Sequence, residues 1–146
     1  MKQLIALLVC IMISSQVFAK QCNWPRWETF KSTYILDDGR VLDASDPRQI
    51  TTSEGQSYAL FFSLIANDPE TFDLLFKWTQ AHLAKGDLTA RLPAWLWGRD
   101  AQGMFTVLDA NSASDSDLWI AYTLYEAGRL WDNFYYQSVA YFLASR

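Results

Sequence analysis

An all-helical assembly is the fold class this sequence predicts, and three observations predict it. Two segments open with a serine and a capping partner three residues on, Ser53 with Gln56 and Ser114 with Asp117, and each continues through apolar residues at helical spacing. A third segment repeats Phe72, Leu75, Phe76 and Leu83 with the same period. Around the first two, apolar residues fall on more than one side, as they must on inner helices packed among others.

Residues 1–19 stand apart from that fold. Lys2 gives a short positive region, ten apolar residues follow, and Val17-Phe18-Ala19 has the small-x-small form of an export-signal cleavage site, placing the mature start at Lys20. A membrane helix needs roughly 20 apolar residues, twice this run. No later stretch is long and apolar enough to span a bilayer.

Taking that leader from the 146 residues leaves 127 and moves the formal charge from −4 to −5. With 51% hydrophobic and 19% charged residues, 6 Gly and 4 Pro, the chain is neither a disordered polyelectrolyte nor a fibrous repeat. An acidic exported domain does not draw nucleic acid or anionic lipid by its overall field, so neither a nucleic-acid partner nor membrane insertion after signal cleavage is expected. Cys10 lies in the leader and Cys22 is left single, which excludes an intrachain disulfide. With His82 as the one histidine, a Cys/His zinc cluster is excluded as well, and no metal or cofactor is expected. His82 falls late in the third helix, as a surface or capping residue and not the base of a triad. The glycines are isolated, so no phosphate-binding loop is present. Chemistry falls to carboxylates.

Taken in order, residues 24–34 form a first helix opened by Pro25. Asp37-Asp38-Gly39 turns the chain, and residues 35–52 are a loop with a brief extended piece at Val41-Leu42-Asp43. Ser53 caps the second helix, whose first helical residue is Glu54. Asn67 or Asp68 caps the third, with Pro69 and Glu70 in its first turn. Residues 84–111 lack helical period, and short extended pieces around Trp95 and around Phe105-Thr106-Val107-Leu108 would give that long connection structure. Ser114 caps the fourth helix with Asp115 first inside it, Gly128 marks its end, and residues 130–143 form an aromatic fifth helix.

Glu54 and Asp115 thus take the same position at two inner helices, where side chains point past the helix end toward a common mouth if the helices are parallel neighbours. Helix-end electrostatics also explains an acid there, being worth about 0.3–1 kcal/mol wherever it occurs. Around that mouth, Tyr58, Trp95, Trp97, Trp119 and Tyr122 offer flat surfaces for sugar rings, and Asp109, Asn111, Asp115 and Asp117 offer acceptors for hydroxyls; each aromatic also fits a core role. The acid-rich run from Asp109 to Asp117 lacks the glycine and terminal glutamate of a calcium loop. Gly55, inside the second helix, permits close approach of a ligand or another helix.

On Ser53-Glu54-Gly55-Gln56-Ser57-Tyr58 and Ala113-Ser114-Asp115-Ser116-Asp117-Leu118-Trp119-Ile120-Ala121, the sequence resembles glycoside hydrolase family 8, most nearly the periplasmic branch encoded with bacterial cellulose synthase. The likeness takes in Arg91-Leu92-Pro93-Ala94-Trp95-Leu96-Trp97-Gly98 and Leu108-Asp109-Ala110-Asn111-Ser112; Ser116 departs from the Gly or Ala usual there. The resemblance implies an (α/α)₆ barrel, of which this chain is the N-terminal part, and endo-1,4-β-glucanase activity with inversion on β-1,4-glucan chains. It implies Glu54 as proton donor, Asp115 as the residue positioning the sugar at the cleaved bond, Trp95 as cleft lining, and a functional association with the cellulose synthesis machinery. It also places the general base beyond Arg146, so a truncated, inactive chain is expected, the alternative being a non-catalytic carbohydrate-binding or structural remnant. As a donor Glu54 must keep its proton although a helix N-terminus favours the anion, so burial and nearby Asp115 are expected to oppose it.

Overall fold

The structure, a computed structural model, describes residues 24–146; the leader, the Lys20 start and Cys22 lie outside the described residues. Pro25 opens α1 (Pro25–Tyr34), where its missing N–H costs nothing. The buried Trp27 indole donates to Asp68 Oδ2 at 3.1 Å, and Lys31 Nζ donates to the same oxygen at 2.8 Å. Asp68 is also the N-cap of α3 (Pro69–Trp78), accepting from the Thr71 N–H at 3.1 Å and its hydroxyl at 2.9 Å. Burial pushes the Asp68 carboxyl up, but Lys31, Thr71 and Trp27 outweigh it and hold the group below the usual carboxylate range. Asp68→Ala should therefore cost about 2–3 kcal/mol at neutral pH, with the loss shrinking as acid protonates the native carboxyl. Chemical denaturation at neutral and acid pH checks this; an equal loss at both would contradict it.

The chain between α1 and the second helix is more structured than the expected loop. Bridges Ile35↔Val41 and Asp43↔Ile50 fold it back on itself, and Thr51–Thr52 forms strand β1 against Leu96–Arg99, strand β2. Gly39 takes φ +89° where the turn lies on α3. Pairing of β1 holds Thr52 extended, so α2 (Ser53–Ile65) is capped one residue earlier than expected: Thr52 Oγ1 accepts from Gly55 N–H at 3.0 Å. The Ser53–Gln56 capping box is absent. Gln56 is fully buried instead, accepting from Val41 N–H at 2.7 Å and donating to Thr79 Oγ1 at 2.8 Å and to the Gly39 and Leu75 carbonyls at 3.3 Å each. One amide ties the turn, α2 and α3 together.

Beyond α3 a π-helical turn, Thr79–Leu83, carries an exposed His82 stacked on Trp78 at 4.7 Å, the surface position expected of it. Strands β2 and β3 (Phe105–Asp109) form the extended pieces expected near Trp95 and Phe105, and the sheet order is β1-β2-β3, antiparallel throughout. Helix α4 (Ser114–Leu130) packs on α2, and α5 (Phe134–Ala144) packs on α4. Phe72 of α3 meets Tyr136 of α5 at 5.3 Å, so α3 and α5 form an outer layer over α2 and α4. Leu60, Phe72, Leu75, Ile120, Leu124 and Val139 fill the core between the layers, all fully buried.

The expected boundary between the last two helices moves. Gly128 does not end α4; it lies within it, where a Cβ would fall 2.5 Å from Gln137 Cγ and 2.8 Å from Asn133 O, so its missing side chain lets α5 approach. The break comes at Asp132, in the left-handed region with φ 52°, and Asn133 caps α5 by accepting from the N–H groups of Tyr135 and Tyr136. On the far side, Leu118, Tyr122, Tyr125, Phe134 and Tyr141 line an apolar groove of about 700 Å³ along α4 and α5. Among the described residues no helix is long and apolar enough to cross a membrane.

Candidate active site

A backbone ladder assembles the candidate residues. Ser53 N–H donates to Trp95 O at 3.0 Å, and Trp95 N–H donates to Asn111 O at 2.8 Å. The starts of α2 and α4 therefore lie at the same end of the fold, on either side of the Trp95 segment. Glu54 and Asp115 sit at these two starts, each lining its own groove.

Each acid sits second in its helix, not first, because Thr52 and Ala113 are the N-caps. Ala113 has no capping side chain, so the Ser114–Asp117 capping box is absent too. The loop from Asp109 is drawn alongside Trp95 and stays extended through Ala113, which leaves Ser114 inside the helix. Asp115 Oδ1 accepts from Ser116 N–H at 2.8 Å, using one of the free donors at the helix start and leaving the rest of an exposed carboxylate for a ligand.

Tyr58 feels both acids: hydrogen bonding toward Glu54 and its negative charge, then burial and the charge of Asp115, hold the phenol above its usual range. Glu54 and Tyr58 line a groove of about 300 Å³ with Tyr34, Asp43 and Phe62. Asp115 lines a second, of about 530 Å³, with Phe61, Leu118, Trp119 and Tyr122. Glu54 itself is exposed, so the burial expected to keep its proton is not supplied by the described residues. At Gly55 a Cβ would meet Thr52 and Val41 at 3.4 and 3.5 Å, ordinary contact distances, so helix packing does not require a glycine there.

Trp95 is half-buried. The Asn111 N–H, at 2.9 Å from Asp109 Oδ1, is the largest of the influences that keep this carboxyl below the usual range, ahead of Trp95. Trp95, Asp109 and Asn111 thus form one polar and aromatic edge beside the acids. Trp97 does not join them, a correction to its expected sugar-binding role. The register shifts between Leu96 and Trp97, so two tryptophans that regular alternation would put on one face have different surroundings. Trp97 is 8% exposed, stacked on Phe105 at 4.8 Å, edge-on to Trp78 at 5.2 Å, and covered by the Arg40 guanidinium at 4.5 Å.

Asp117 carries a property the sequence reading missed. It is 8% exposed, with Oδ1 buried and without a hydrogen-bond partner. Burial, then the Asp115 charge, push its carboxyl up to about 6 against a weaker bond with Ser112. A helical stripe contained the signal: Asp117 precedes the buried Ile120, Ala121 and Leu124 by three, four and seven residues. The folded chain keeps this proton to higher pH than the unfolded chain, so stability should decline as pH rises from about 4 to about 6 and stay lower above that. Asp117→Asn should flatten the decline in pH-dependent denaturation. An unchanged slope would contradict it.

Among the described residues no group of three or more His, Cys, Asp or Glu side chains is placed to hold a metal ion. The family model for glycosyl hydrolases family 8 matches residues 1–144. An endoglucanase of Escherichia coli O157:H7 is 51% identical over 140 residues, which are 96% of this chain and 38% of that protein. One from Pseudomonas fluorescens (strain SBW25) is 44% identical over 139 residues, 95% of this chain and 35% of that one. In structure, the endo-1,4-D-glucanase from Vibrio fischeri ES114 superposes with a TM-score of 0.82 at 68% identity, covering 84% of this chain and 35% of that chain. The family 8 endoglucanase Cel10 from Klebsiella pneumoniae gives 0.72 at 28% identity, with 84% and 38% covered. The chain spans little more than a third of the length of these relatives, matching the N-terminal part of their fold.

Proposed function

Because the chain belongs to glycosyl hydrolase family 8, we propose that it supplies the acid side of an endo-1,4-β-glucanase that cleaves internal bonds of β-1,4-glucan with inversion. The observation that carries this reading is the pairing of the starts of α2 and α4, which bear Glu54 and Asp115, across Trp95 through the Ser53–Trp95 and Trp95–Asn111 backbone bonds, beside the Asp109 and Asn111 edge.

In the mechanism, Glu54 lies exposed at the mouth, where it can protonate the oxygen of the departing sugar. Asp115 accepts hydrogen bonds from the sugar beside the cleaved bond, and Trp95 gives a ring face to the chain. An inverting hydrolase also needs a base on the opposite face of the sugar, with the two carboxyls about 6.5–9.5 Å apart to admit a water. Asp115 is committed to the sugar, so the base is assigned to the length that the relatives have and this chain does not span. On that account the 146-residue chain alone binds glucan without cleaving it.

The test is reducing-end release from carboxymethyl-cellulose by the longer polypeptide containing this chain, with the anomer of the first product read by NMR. Release of the α-anomer first is expected. First appearance of the β-anomer would refute inversion, and binding with no release would favour a non-catalytic carbohydrate-binding module. The leader pattern further supports export to the periplasm or medium, and the likeness to the cellulose-synthase branch supports work alongside that machinery. N-terminal sequencing of the exported protein should begin at Lys20; intact Met1 in a membrane fraction would refute the leader.

A further inference from the structure

Asp115 and Asp117 lie two residues apart at the start of α4 in opposite surroundings. Asp115 is exposed and has its own backbone donor, the Ser116 N–H at 2.8 Å. Asp117 is enclosed and its Oδ1 is unpartnered, Ser112 giving it only a weak opposing influence. Among the described residues no lysine, arginine or histidine forms an ion pair with Asp117; from its own helix Asp115 is the titratable group acting on it, and from α2 Glu54 acts on Tyr58. A buried carboxylate with a like charge beside it and no cation is costly, whereas the neutral acid buries no charge and has a hydroxyl donor to spare. Ser112 in turn follows Asn111, whose carbonyl receives the Trp95 N–H.

We propose that Asp117 is a positioning residue of this site: it holds, as a neutral acid, the proton that two adjacent carboxyls would otherwise contest, so that Asp115 meets the glucan as the charged acceptor while Ser112 and the Asp109–Asn111 corner stay in place. The inference rests on the glucan reading and adds a residue that reading does not use. Raising the pH sends the Asp117 proton to solvent. Two like charges then share the start of α4 and Asp117 Oδ1 still lacks a donor, so the corner shifts and glucan binding weakens.

The experiment combines carboxyl ¹³C NMR titration of the chain with cellohexaose binding at about pH 5 and about pH 7.5, for wild type, Asp117→Asn, Asp117→Ala and Asp115→Asn. Asp117 should titrate near 6 in the wild type and lower in Asp115→Asn, where the neighbouring charge is gone. Wild-type binding should weaken by about threefold or more between the two pH values, whereas Asp117→Asn should bind equally at both, since the amide keeps the shape of the neutral acid and cannot ionise. Asp117→Ala should bind weakly at both, a defect that asparagine rescues. An Asp117 midpoint below about 5, or the same pH dependence in wild type and Asp117→Asn, overturns the proposal while intact binding preserves the glucan reading. No binding by the wild type at either pH overturns the glucan reading and the positioning role with it.

Discussion

Glu54→Gln should lower turnover of carboxymethyl-cellulose by the longer polypeptide about 10²–10⁴-fold, the range a positioned general acid contributes. Glutamine keeps the size and polarity of the side chain but has no acidic proton for the leaving oxygen. Substrate binding should therefore change little, and the loss should appear in kcat. Asp115→Asn acts differently. It removes a charged acceptor worth about 1.5–3 kcal/mol, so turnover falls through poorer placement of the sugar. Equal turnover by Glu54→Gln and wild type would remove Glu54 from the chemistry.

Gly39→Ala should have the largest effect on folding. A Cβ at this position would lie 2.3 Å from Leu74 O, 2.4 Å from Leu74 C and 2.8 Å from Leu75 N, all backbone atoms of α3. Moving that backbone would pull the Leu75 carbonyl from Gln56, the amide that joins the turn to both helices. Left-handed strain of about 1–3 kcal/mol adds to overpacking of similar size, together a large share of the 5–15 kcal/mol that holds a typical domain. Gly86 is the control: its φ is also +89°, but nothing lies within 4 Å of its missing Cβ. Gly86→Ala should show the strain alone. Equal losses of Tm in the two variants would contradict the steric account.

The contrast between Gly39 and Gly86 shows where the sequence is silent. Both sit in turns with φ +89°, and only the approach of α3 distinguishes them. Periodicity and capping residues located the five α-helices of the described residues because those signals are local. The starts of α2 and α4 moved by one residue because strand pairing at Thr52 and the ladder through Trp95 and Asn111 hold the preceding backbone extended, and those contacts span tens of residues. Gln56 looked like a capping partner by spacing, yet the Thr52 cap freed it to tie the turn to α3. Trp97 looked equivalent to Trp95 until the register shift beside it separated them. Asp117 was legible in principle, since the stripe it belongs to is plain in the sequence. Its acidity concealed its burial.

The most direct test of Glu54 as proton donor is the dependence of its substitution on the leaving group. A glycosidic oxygen needs a proton to depart, whereas a dinitrophenolate departs without one, so a missing general acid is felt only with the first. Turnover of carboxymethyl-cellulose and of a 2,4-dinitrophenyl cello-oligosaccharide should be measured for the longer polypeptide with and without Glu54→Gln. The expected result is a loss of about 10²–10⁴-fold on the polymer and less than about tenfold on the aryl glycoside. Equal losses on both would contradict the account, placing Glu54 in sugar binding and the proton donor elsewhere.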